Sequence, residues 1–143
     1  MTVTEIHVIH PTELWFYALL ELMAFELSKP PVLLELTSTR DFDSLANHEL
    51  SIIFKHSHTC PISLFAHGEV ARFCERQPDA PVYLISVKRQ RDIARHVAEY
   101  TGVQHESPQV VVMSRGGVLA AASHEAITAE WIASAVASRG TSE

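Results

Sequence analysis

The sequence predicts an α/β domain, a central mixed sheet flanked by helices, with an extra helix ahead of it. Short apolar runs alternate with longer segments of helical period from residue 32 onward. Two strand-like runs near the end are separated only by Arg115-Gly116-Gly117, a tight-hairpin signal. A long apolar segment precedes all of this and stops at Pro30-Pro31. These observations divide the chain into an N-terminal extension with an apolar helix, residues 1–31, and one α/β domain, residues 32–139.

Composition agrees with this division. A chain of 143 residues can bury one substantial core, and 47% apolar with 20% charged residues is ordinary for a globular protein. A formal charge of -6 leaves no basic excess to meet phosphates, so nucleic acid is not an expected partner. Two cysteines are too few for a secreted disulfide framework. No signal peptide is visible, because the first basic residue is Lys29 and no small-residue cleavage site follows an apolar core. A cytoplasmic protein with reduced thiols is the expectation.

The first helix is read over residues 12–28, TELWFYALLELMAFELS, with Thr12 as its N-cap. Glu13, Glu21 and Glu26 interrupt the apolar run into stretches far below the roughly 18 residues a membrane span needs, and they do not share one face. Apolar surface all round predicts burial against the domain or a partner, with a homodimer through this helix as one expectation. Strands then follow at 32–36, 50–55 and 81–87, separated by helices at 41–49 and 62–77. A helix at 90–102 ends at Gly102, the hairpin strands occupy 109–114 and 118–123, and a helix at 128–138 begins at Thr128. The order β-α-β-α-β-α-β-β-α implies parallel pairing through crossovers plus a late antiparallel edge. It is the order of a thioredoxin-like fold, and several other mixed α/β folds share it.

Chemistry concentrates at residues 54–65, FKHSHTCPISLF. Cys60 falls where a strand stops and a helix starts, with Pro61 at the first helical position, where its missing N–H costs nothing. An N-cap cysteine faces free amides and the positive end of the helix dipole, which favour a thiolate. A thiolate is the nucleophile of disulfide exchange. The expected Cys60 is therefore more acidic than a free cysteine, with Lys55 assisting. Ser63 stands where a C-x-x-C motif has its second cysteine, and a serine cannot close an internal disulfide. Cys74 follows 14 residues later in the same helix, about 21 Å along the axis, too far to pair. Burial as a small hydrophobe is its expected role.

The run IIFKHSHTCPIS closely resembles the active-site signature of the monothiol bacilliredoxins, in which K-H-S precedes C-P-I-S. The resemblance continues through LLELTSTRDFDSL, HESPQVVVMSRGGVL and ASHEAITAEWI, roughly residues 33–136. It implies a thioredoxin-like fold and exchange with bacillithiol, a cysteine-glucosamine-malate thiol, as co-substrate, with no bound cofactor. By the same resemblance Cys60 is the nucleophile, Ser63 marks the missing resolving thiol, and S-thiolated proteins are the partners. Lys55, His56 and Ser57 belong to the expected active-site loop with Pro61 and Ser63. Ser107-Pro108 is the expected cis-proline site, presenting the Ser107 backbone to a thiolated peptide.

His56 and His58 alternate with Cys60, but a structural zinc usually draws on two separated ligand pairs, so no metal is expected. One histidine is expected to bond the loop or poise the thiol, and the other to be solvated. His124 has a capping or packing role as its plain reading. Lys55 or Arg115 is the expected cation for an anionic thiol. Two other functions compete: an iron-sulfur carrier of the monothiol glutaredoxin type, which Pro61 after the cysteine disfavours, and a non-catalytic adaptor docking through the first helix.

Overall fold

The computed structural model describes residues 11–27 and 33–140. The chain divides into two units between Pro30 and Pro31. In the first, helix α1 spans Pro11–Leu27, starting one residue before the expected cap Thr12. The side chains of Leu14, Trp15, Phe16, Leu19, Leu22 and Met23 on it are all exposed. Among the described residues no helix is long and apolar enough to cross a membrane. The expected last residue of this helix, 28, and first residue of the next strand, 32, lie outside the described residues.

The second unit is built in the order β1 (Leu34–Glu35), α2 (Thr39–Ala46), β2 (Ser51–His56), α3 (Pro61–Arg76), β3 (Val82–Ser86), α4 (Arg91–Thr101), β4 (Gln109–Ser114), β5 (Gly117–Ser123) and α5 (Ala129–Ala137). This is a thioredoxin-like domain. Single 3₁₀ turns at His124–Ala126 and Ser138–Gly140 add to the expected elements. Local chemistry sets the helix ends. α2 starts two residues earlier than expected because Ser38 and Asp41 form a capping box. The Asp41 amide donates to Ser38 Oγ (3.1 Å) and the Ser38 amide to Asp41 Oδ2 (2.9 Å). Thr128 Oγ1 accepts from the Trp131 amide at 3.0 Å, and Gly102 ends α4 at φ 70°.

The five strands lie in the order β1-β3-β2-β4-β5. β1, β3 and β2 are parallel, whereas β4 is antiparallel to both β2 and β5. The alternating sequence implied a parallel crossover into β4, and the structure corrects it. α4 runs about 16 Å, and the extended segment 102–108 carries the chain back. Gln109 at the start of β4 therefore opposes Lys55 near the end of β2. The hairpin turn also differs from expectation: Arg115 (φ 49°) and Gly116 (φ 84°) make the turn and Gly117 already belongs to β5.

Strand periodicity sorts side chains onto two cores. Ile52, Phe54, Val110 and Val112 pack with α3 and α5 residues such as Val70, Phe73 and Ile132. Ile53, Val111 and Met113 face the other side, against Phe42 of α2 and Ile93 and Val97 of α4. All six residues of β2 are buried. The alternation continues past the apolar residues, so Lys55 turns toward the α4 side and His56 toward α3. That split decides the layout of the site.

Candidate functional site

Cys60 is the N-cap of α3, with extended backbone (φ -101°, ψ 121°) and Pro61 at the first helical position. Its amide donates to the Ser57 carbonyl (3.2 Å) and its carbonyl accepts from the Leu64 amide (3.0 Å). The side chain makes no capping hydrogen bond, which leaves a partly exposed sulfur over the helix N-terminus. Ile62, Leu64 and Phe65 on the first two turns of α3 are exposed beside it. Cys74 lies in the same helix, buried in the α3–α5 core, and burial pushes its thiol pKa up. One thiol is available for exchange and the other is sealed.

Ser63 is fully buried. Its Oγ accepts from the Ser57 amide at 2.8 Å and stands 2.8 Å from His56 Nδ1. The residue at the resolving position is thus a tie between the loop before Cys60 and the first turn of α3. His56 is itself buried, with ring centroids 4.6 Å from His58, 5.1 Å from His67 and 5.3 Å from Phe54. Desolvation, reinforced by the charges of His58 and His67 and opposed by hydrogen bonding at Ser63, pushes its pKa down to about 4. His56 is neutral near pH 7 and holds the loop, while His58 is exposed.

Lys55 departs most from expectation. It lies in β2, within the strand read at 50–55, but has no exposed surface, so it is not the accessible cation expected of the active-site loop. Its Nζ donates to Gln109 Oε1 at 2.9 Å and lies 3.3 Å from His105 Nδ1. Burial pushes its pKa down to about 8, and desolvation, reinforced by the Lys55 charge, lowers that of His105. Arg115 cannot reach the site. It sits in the β4–β5 turn, its amide bonded to His48, beyond the start of β2, while Cys60 follows its end; the strand between spans about 17 Å.

On the Lys55 side, Cys60 lines a cavity of about 790 Å³ with Ser57, Ser107 and His105. The Ser107–Pro108 peptide is cis, as expected, and Pro108 accepts from the His124 amide (3.0 Å). His124 (φ 56°) starts the 3₁₀ turn after β5, which gives it a structural place. The far wall of the cavity is α4 and the turn before it, with Lys88, Arg91 and Arg95 among its residues. Sequence reasoning missed these three. Arg91 and Arg95, one turn apart, were the available signal, but nothing local joins them to Cys60. Among the described residues no group of three or more His, Cys, Asp or Glu side chains converges as a metal site.

A thioredoxin-like sheet with one accessible cysteine capping the helix after β2 defines a thiol–disulfide oxidoreductase. Comparison with known proteins narrows this. The model of the monothiol bacilliredoxin BrxC family matches residues 34–132, and the chain belongs to that family. A solved structure described as having a thioredoxin fold is similar at 30% identity and TM-score 0.70, covering 73% of this chain and 94% of its own. Thioredoxin from Malassezia sympodialis is similar at 15% identity and TM-score 0.62, covering 78% and 96%. Oxidised thioredoxin from Plasmodium falciparum follows at 12% identity and TM-score 0.58, covering 74% and 96%. The last two share the fold alone.

Proposed function

We propose that this protein strips a low-molecular-weight thiol, bacillithiol in the first instance, from S-thiolated cysteines of client proteins. The observation that carries the reading is the isolation of Cys60. Ser63 at the resolving position is buried and tied, and Cys74 is sealed in the core. The Cys60 thiolate attacks the small-thiol sulfur of the mixed disulfide. The bond to the client sulfur breaks, and that sulfur leaves with the electron pair and takes a proton from water. A second small-thiol thiolate then attacks the small-thiol sulfur bound to Cys60. The symmetric disulfide departs and the Cys60 thiolate returns. Exposed Ile62, Leu64 and Phe65 give an unfolded or apolar client segment a surface beside the sulfur.

Incubating the protein with a bacillithiolated client and following both partners by mass spectrometry tests this. The wild type and Cys74→Ala should free the client and carry the adduct on Cys60, and Cys60→Ala should do neither. A Cys60–Cys74 bridge in active protein, or client release by Cys60→Ala, overturns the reading. We place the exchange in a reducing, cytoplasmic compartment and assign α1 as an association element joining two copies, on the strength of its exposed apolar side chains. Sedimentation before and after removal of residues 1–30 tests that role; an unchanged monomer refutes it.

A further inference from the structure

Three of the eleven Lys and Arg residues of a chain with net charge -6 line the cavity that holds Cys60. Arg91 and Arg95 are one turn apart on α4, about 6 Å along its axis, and Lys88 precedes them in the β3–α4 turn. None of the three forms an ion pair among the described residues. Arg72, Arg76 and Arg89, by contrast, each hold a glutamate: Glu69, Glu130 and Glu35. Glu99 is the one acid among the described residues lining the cavity. Three cations against one carboxylate leave the lining with an excess of positive charge.

The remaining walls suit a small molecule. Val87, Ala94, Ala98 and Val103 supply apolar lining, and the volume falls in the range of ordinary ligand sites. Ser107 also lines the cavity, and its Oγ is buried with no hydrogen-bond partner among the described residues. Such a group ordinarily has one. Behind His105 the buried Lys55 adds positive charge to the same wall. The guanidinium fork matches a carboxylate in a way no point charge does.

We propose that this cavity seats the anionic end of a carboxylate-bearing small thiol, with Arg91 and Arg95 as specificity-determining residues. The inference rests on the exchange reading above and adds its substrate selection. An anion held on α4 fixes the small thiol with its sulfur toward Cys60. That sulfur is then the one attacked, and the client sulfur becomes the leaving group.

The test uses one single-cysteine client carrying either mercaptosuccinate, with two carboxylates, or 2-mercaptoethanol, with none. Removal rates are measured for the full-length wild type and for Arg91→Gln/Arg95→Gln. Both positions are exposed, so the fold is expected to survive, and circular dichroism checks it. The ratio of mercaptosuccinate to mercaptoethanol rates should fall about tenfold in the variant, with the wild-type ratio shrinking as salt is added. A ratio unchanged by the substitutions overturns the proposal. An independent arm titrates succinate into the wild type and follows backbone amides by NMR at low salt. Saturable shifts over residues 88–95 that disappear in the variant support the site, and their absence overturns it. If those shifts appear but neither client adduct is removed, the anion site stands and the exchange reading falls.

Discussion

His56 should make the protein acid-sensitive in a defined window. Its imidazole is 1% exposed and wedged among Phe54, His58, His67 and Ser63, and its pKa is pushed from 6.5 to about 4. The unfolded chain takes up this proton from pH 6.5 downward, while the folded chain resists until about pH 4. The unfolded state therefore binds more protons across that interval, and stability falls as pH falls through it. The stabilisation is fully present above 6.5 and fully lost below about 4. A shift of some 2.5 units at 1.36 kcal/mol each amounts to about 3 kcal/mol, a sizeable part of the stability of a small domain. Urea unfolding at half-unit steps from pH 7 to 4 measures it, with His56→Asn as reference. Asparagine puts an amide atom near the Nδ1 position and does not titrate. The variant should be less stable at pH 7 but lose about 3 kcal/mol less on acidification, with other carboxylates and histidines cancelling in the difference. NMR titration of the His56 ring should show no midpoint above about 5. A midpoint near 6.5, or parallel pH profiles for the two proteins, would refute the argument.

Other perturbations probe the same scaffold. Ser63→Ala strands the buried Ser57 amide and the His56 ring nitrogen, and should cost about 2 kcal/mol in chemical denaturation. Ser63→Cys faces a similar penalty, so a stable disulfide from Cys60 to the introduced thiol, with unaltered thermal stability, would show that the tie is dispensable. Glu69→Ala should destabilise by about 2–3 kcal/mol, because Glu69 Oε2 accepts the Ala129 amide at the buried start of α5 (2.9 Å); a loss under about 0.5 kcal/mol in denaturant counts against that cap. Buried Lys55 acts at the alkaline end. Its pKa of about 8 against 10.5 unfolded leaves the unfolded chain with more protons between those values, so stability should rise with pH across them by up to about 3 kcal/mol. Lys55→Met should flatten that rise, and a rise that persists in the variant removes Lys55 as its source.

The sequence alone was enough for whatever depends on neighbours along the chain. Cys60 before Pro61 had to be an N-cap, Thr128 a cap and Gly102 a left-handed stop, because each follows from which backbone groups a helix end leaves unpaired. The strands and helices were legible for a similar reason, since period and punctuation are local, with bounds moving by a residue or two and β1 shrinking to Leu34–Glu35. Tertiary structure alone decided the direction of β4, because the return of segment 102–108 is set by packing and not by propensity. It also decided which face of β2 each side chain meets, turning Lys55 from a loop cation into a buried partner of Gln109, 54 positions away. Ser63 reads as a missing thiol in a four-residue motif, but its two hydrogen bonds exist only when α3 folds back over β2. The cations opposite Cys60 come from a helix and the turn before it, some thirty residues downstream, and only the assembled sheet brings them to the cavity that Cys60 lines. Charge and reactivity at one point in space are summed over every element that packs there, and a linear sequence carries no such sum.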